Sequence, residues 1–176
     1  MGRSRYTFHG NEYPYFMTCT VLHWIPIFTR PETVDILLSS LRFLIREGFV
    51  LYAYVILENH LHIVAYSKDI SRDIARFKSF TAGQVINYLK EKHVKTILDQ
   101  LEFYMKSYKT DRKNQLWEEG VHPEMIQNYE MLRQKIDYIH NNPVKRGFVD
   151  LPEHWKYSSA RNYVKQKGLI DVFTDW

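Results

Sequence analysis

Two β-forming, mostly apolar runs stand only two residues apart in this chain. They are Phe49-Val50-Leu51-Tyr52-Ala53-Tyr54-Val55-Ile56-Leu57 and His60-Leu61-His62-Ile63-Val64-Ala65-Tyr66, separated by Glu58-Asn59. A parallel pair needs a crossover of a dozen or more residues, so a break this short points to an antiparallel hairpin. The rest of the chain has to supply partners for that hairpin and cover for its apolar faces.

Upstream, residues 1–14 are polar and carry Gly, Asn and Pro, and Tyr15-Phe16-Met17-Thr18-Cys19-Thr20-Val21-Leu22 reads as a strand. Pro26 and Pro31 bracket a loop, and Val34, Leu37, Leu38, Leu41, Leu44 and Ile45 then recur at helical spacing up to Gly48, a helix stop. Downstream, residues 70–94 read as a second helix through Ile70, Ile74, Phe77, Thr81, Val85 and Leu89. Residues 95–113 begin as an apolar helical piece through Met105 and continue as a basic stretch, and Gln115-Leu116-Trp117 offers a fourth, short strand. Asn128 is an N-cap for a helix from Tyr129 to about Asn141, with Leu132, Ile136 and Ile139 as its apolar stripe and Pro143 as its stop. The order β-α-β-β-α-β-α predicts an α+β, ferredoxin-like (RRM-like) domain. Its antiparallel sheet has helices packed on one face, with an extra C-terminal helix that carries Tyr138. One domain over residues 1–176, with a core of about 13–163, fits the length.

His60 and His62 lie two apart on a strand, so their imidazoles point the same way while Leu61 and Ile63 point the other. Two neutral ring nitrogens on one patch suit a divalent cation. Taken alone, the pair reads first as two strand histidines facing solvent. Tyr138 and Asn142 are four apart and share a helix face, beside the apolar stripe that would dock the helix. Asn142 offers an amide oxygen to Mg²⁺ or Mn²⁺, and Tyr138 offers a phenolic oxygen. Taken alone, these two are a packed ring and a C-cap. Taken together, the four residues supply a nucleophile and a metal to polarise the phosphodiester that it attacks.

Charge permits such a substrate. Lys+Arg is 24 against Asp+Glu 20, a net charge of +4 with a pI near 9.0. Lys78, Lys109, Arg112, Lys145 and Arg146 are the leading candidates for phosphate contacts, with Arg76, Lys106 and Lys113 behind them. Trp117, Phe80 and Trp155 are candidates for base stacking. The single cysteine, Cys19, excludes an internal disulfide and a Cys-based zinc cage. No apolar run approaches the roughly 18 residues of a membrane span, and no secretory leader is visible. The chain reads as cytoplasmic, and as nucleoid-associated if it acts on DNA.

The segment Leu57-Glu58-Asn59-His60-Leu61-His62-Ile63-Val64 resembles the His-hydrophobic-His motif of the HUH single-strand endonucleases. Three further segments resemble the REP-associated tyrosine transposases of that superfamily. They are Tyr138-Ile139-His140-Asn141-Asn142-Pro143-Val144-Lys145-Arg146-Gly147, Trp155-Lys156-Tyr157-Ser158-Ser159-Ala160, and Leu116-Trp117-Glu118-Glu119-Gly120. The similarity spans roughly residues 13–163 in order. The resemblance implies that Tyr138 attacks single-stranded DNA carrying a hairpin, giving a 5′-phosphotyrosine adduct and a free 3′-OH. It matches His60, His62 and Asn142 to the metal ligands. It leaves open a homodimer in which the tyrosine serves the partner's site. Leu57-Glu58 departs from the family's frequent Met-Pro and adds a carboxylate near the metal. Two other readings stand beside it. One is a non-catalytic nucleic-acid-binding ferredoxin-like module. The other is a structural zinc protein using His60, His62 and His122 or His140.

Overall fold

The structure, a computed structural model, describes residues 8–105 and 115–176. Its elements are β1 (Tyr15–Thr20), α1 (Pro31–Arg46), β2 (Val50–Ile56), β3 (His60–Tyr66), α2 (Ile70–Glu91), α3 (Lys95–Tyr104), β4 (Glu124–Met125), α4 (Tyr129–Lys145) and α5 (Ala160–Tyr163). The strands form one antiparallel sheet in the order β2-β3-β1-β4, the split β-α-β arrangement expected of the ferredoxin-like class. Local chemistry sets the helix starts. Asp69 caps α2 through Arg72 N at 3.2 Å, and Asn128 caps α4 through Met131 N at 2.8 Å.

Helices cover both faces of this sheet. Tyr15, Met17 and Cys19 of β1 join Leu61, Ile63 and Ala65 of β3 in a core with α1 and α2. The opposite parity, Phe16, Val55 and Val64, packs with Leu132, Ile136 and Ile139 of α4 in a second core. The expectation of helices on one face therefore holds for α1 and α2, and α4 takes the other. The reason lies in β2 and β3, which bury residues of both parities and so need cover on both sides. Ile139 is fully buried at the centre of the α4 interface. Ile139→Ala is expected to lower unfolding free energy by about 2–5 kcal/mol in urea titrations.

β1 stops at Thr20 rather than Leu22 and α2 at Glu91 rather than 94, and two larger differences concern Trp117 and Pro143. The fourth strand is Glu124–Met125, and Trp117 makes a single bridge to Val21. Trp117 is instead a core residue, 4% exposed, with its Nε1 donating to Thr81 Oγ1 at 3.0 Å. Pro143 does not stop α4, which continues to Lys145. The stop is Gly147, at φ +74, where Gly147 N donates to Val144 O and Phe148 N donates to Pro143 O. That is a Schellman closure, with glycine in the left-handed position. Asn142 thus lies inside the helix and keeps its helical spacing from Tyr138.

Candidate metal and nucleophile site

His60 and His62 share strand parity with Val64, so both rings leave the sheet on the α4 side. Their centroids are 4.7 Å apart, and the residues are 5% and 6% exposed. Each ring is anchored through Nδ1. Asn59 Nδ2 donates to the Trp24 carbonyl at 3.1 Å, which turns Asn59 Oδ1 toward His60 Nδ1 at 2.7 Å. An amide oxygen only accepts, so His60 Nδ1 carries the proton and Nε2 keeps its lone pair. His62 Nδ1 lies 2.8 Å from Thr18 Oγ1, its cross-strand neighbour, which likewise engages Nδ1 and leaves Nε2 for another partner. Such outer hydrogen bonds fix ring orientation in metal sites.

Burial pushes His60 down to about 4, the Arg146 cation pushes the same way, and Glu58 opposes them. Burial pushes His62 down to about 3, helped by His60 and Arg146. Both rings are therefore neutral at pH 7, the form in which imidazole binds a metal.

Helix α4 brings Tyr138 to this pair. Its ring stands 5.5 Å from that of His62, edge to face, and Phe16 stacks on His62 at 5.5 Å while meeting Tyr138 edge-on at 5.8 Å. Tyr138 is 41% exposed, so a strand can approach it. At the end of the helix, Arg146 forks onto Glu58, with contacts of 2.7 and 3.4 Å. Asn142 is one turn beyond Tyr138 and one turn before Arg146, on the stretch of α4 held over the pair. Among the described residues no group of three or more His, Cys, Asp or Glu is placed to hold a metal. Asn142, the amide expected from the sequence as a further donor, lies on the helix that carries Tyr138 and Arg146.

His140 has a different task. Its Nε2 meets Ser159 Oγ at 2.8 Å and its ring lies edge-on to Tyr163, and burial pushes it down to about 4. In the unfolded chain the same group titrates near 6.5. Between those two values the unfolded chain binds a proton that the folded chain does not. His140 is therefore expected to cost no stability above about pH 6.5 and roughly 1.4 kcal/mol per pH unit below it, toward pH 4. Urea unfolding near pH 7 and near pH 5 should show a smaller acid loss for His140→Gln than for the parent. Equal losses would exclude this account.

The basic candidates scatter. Lys145 places its ammonium 5.8 Å from the Tyr138 ring centroid, and Arg146 stands beside the histidines. Lys78 lies on α2, whose apolar residues pack the opposite sheet face, and it donates to the carbonyls of Glu118 and Gly120. Arg76 pairs with Asp73 at 3.6 Å on the same helix. Lys109 and Arg112, with Lys106 and Lys113, lie outside the described residues. Among the stacking candidates, Trp155 donates its Nε1 to Ile56 O at 3.0 Å and packs with the α4 core. Phe80 is exposed but also sits on α2.

Sequence reading missed Thr18, Asn59 and Trp24. Thr18 could have been found by pairing the first and third strands, and Asn59 by its place just before the first histidine. Trp24 had no such signal. It is 57% exposed, its ring is 5.4 Å from that of His60, and it follows His23 in a second consecutive left-handed conformation, at φ +57 after +50. Such backbone costs on the order of 1–3 kcal/mol per bulky residue and concentrates at functional sites.

No protein-family model matches the chain. A curated Haemophilus influenzae protein, provisionally named a REP-associated tyrosine transposase, is 26% identical over 117 residues. The match covers 66% of this chain, and the chain spans 62% of that relative's length. A solved structure of a REP-associated tyrosine transposase bound to a REP hairpin superposes with a TM-score of 0.66 at 21% identity. That match covers 100% of this chain and 91% of the other. The chain is therefore similar to REP-associated tyrosine transposases in sequence and shares their fold. No helix among the described residues is long and apolar enough to cross a membrane.

Proposed function

We propose that this chain is a divalent-metal-dependent endonuclease and strand transferase acting on hairpin-bearing single-stranded DNA, with Tyr138 as its nucleophile. The observation that carries the reading is the meeting of the Tyr138 ring with His62, at 5.5 Å, across the α4–sheet interface of a single chain. The Tyr138 ring contacts a histidine of its own chain, which supports a reading in which one chain supplies both groups.

His60 and His62 through Nε2, with Asn142, would hold Mg²⁺ or Mn²⁺. The bound ion would draw charge from a phosphate oxygen and make phosphorus more electrophilic. Tyr138 Oη attacks that phosphorus. An Oη–P bond forms, the P–O3′ bond breaks, and the phenolic proton ends on the departing 3′-oxygen. The phosphodiester count is unchanged, so the 3′-OH can return and rejoin strands without further energy input. A phenol titrates near 10 in water, so the attack requires help in releasing that proton. The Lys145 ammonium, 5.8 Å from the Tyr138 ring centroid, would stand near the charge of the attacked phosphate. Arg146, bound to Glu58 between the hairpin turn and α4, would be a further cation for a phosphate of the strand.

The similarity to transposases, one of them solved with a REP hairpin, supports DNA as the substrate class. The zinc reading loses support because His140 is engaged by Ser159 and no three-histidine group exists among the described residues. The decisive experiment incubates the protein with labelled hairpin-bearing single-stranded oligonucleotides and Mn²⁺. A covalent protein–DNA band and a free 3′-OH fragment are expected. Hydrolytic fragments without adduct, or no cleavage in any divalent metal, would sink the proposal.

A further inference from the structure

We infer that Trp24 is a base-stacking platform that seats an unpaired nucleotide beside the His60–His62 pair, and that His23, Tyr104 and Phe103 continue it as a track. The inference rests on the single-strand reading above and assigns the residues that grip the strand. Four observations carry it.

First, Trp24 exposes 57% of its surface, and Phe103 exposes 80%. Large rings left in water at an otherwise well-packed corner are not explained by the core. Second, the rings form a sequence. Phe103 lies 5.1 Å from Tyr104, Tyr104 stacks on His23 at 4.0 Å with planes 21° apart, and Trp24 meets His60 at 5.4 Å. His23 and Trp24 are adjacent in the chain, so the two runs of rings meet at this corner, between the exposed Phe103 and His60.

Third, the corner is held rigidly in a strained shape. His23 and Trp24 both have positive φ, while His23 N donates to Glu118 Oε1 at 3.0 Å and Leu22 N donates to Leu116 O at 2.8 Å. A platform works best when its ring is already ordered before the ligand arrives. Fourth, Asn59 joins the corner to the metal pair. Its amide donates to the Trp24 carbonyl and accepts from His60 Nδ1, so the position of the platform and the orientation of the ligand are coupled through one side chain.

These rings favour unpaired bases over a duplex. Every base has a π-face, but in a duplex those faces are buried against neighbouring bases, whereas a single strand can offer them to aromatic side chains. Stacking does not depend on base identity, so the track would grip the strand next to the scissile phosphate whatever its sequence.

The test measures binding in EDTA, where no metal-dependent cleavage can occur. Fluorescence anisotropy compares the parent with Trp24→Ala, Trp24→Leu and Trp24→Phe, using a labelled single-stranded oligonucleotide and a blunt duplex. Trp24→Ala and Trp24→Leu should weaken single-strand binding roughly 5- to 100-fold, Trp24→Phe should recover most of it, and duplex binding should change less than about 2-fold. Trp24 is mostly exposed, and circular dichroism confirms that each variant is folded. Unchanged single-strand binding in the Ala and Leu variants overturns the inference, as does an equal loss for single strand and duplex. A parent that binds no single strand overturns it too. If the Trp24 variants bind normally while the parent still forms its adduct, only the platform fails. If Trp24→Ala loses binding but Tyr138→Phe keeps the adduct, only the nucleophile assignment fails.

Discussion

Tyr138→Phe is expected to abolish the covalent protein–DNA adduct and to reduce strand cleavage roughly 10⁴-fold or more, while leaving the protein folded. The substitution removes one oxygen and keeps the ring. Packing against Phe16 and the edge contact with His62 therefore survive. Tyr138 is 41% exposed, and substitutions at such positions usually shift stability by no more than about 0.5 kcal/mol. The loss of a proposed nucleophile has no such tolerance, because a phenyl ring has no oxygen with which to form the covalent bond. Single-strand binding should be retained, so the variant separates binding from chemistry. Denaturing gels read the adduct directly. An adduct that persists in Tyr138→Phe assigns the nucleophile to another residue.

The second large effect is expected at the histidine pair. His62→Ala should weaken Mn²⁺ binding by on the order of 100-fold or more and remove metal-dependent cleavage, with His60→Ala close behind. His62 is buried against Phe16 and Thr18, so the Ala variant also leaves a void and frees the Thr18 hydroxyl. A companion variant, Asn59→Ala, keeps both imidazoles and removes the acceptor that sets the His60 tautomer, together with the donor to the Trp24 carbonyl. It should cost about 10- to 100-fold in metal affinity. Calorimetric titration of Mn²⁺ into each folded variant reads both effects. Unchanged Mn²⁺ affinity in His62→Ala places any metal elsewhere in the chain.

Much of this architecture is legible before any coordinates. The hairpin follows from a two-residue break between β-forming runs. The common direction of His60 and His62 follows from the period of a strand, and the common face of Tyr138 and Asn142 from that of a helix. Where the reading missed, a longer-range contact had overridden a local rule. Trp117 has strand character, yet its ring is claimed by α2 through Thr81 and Phe77. Pro143 usually ends a helix, yet here it falls in the last turn, where Gly147 provides a better stop. Lys78 reads as a phosphate contact, yet it donates to carbonyls that only the folded chain brings within reach.

By itself the sequence determined which residues share a face within each element, and through its motifs the family it resembles. Only the tertiary structure decided which element covers which face. Apolar burial is non-directional, and both faces of β2 and β3 are apolar, so the pattern cannot say whether α4 lies beside α1 and α2 or across the sheet from them. Its docking across the sheet is what brings Tyr138 to His62. The same holds for Trp24. Its place beside His60 is set by backbone strain and an Asn59 hydrogen bond that no local periodicity encodes.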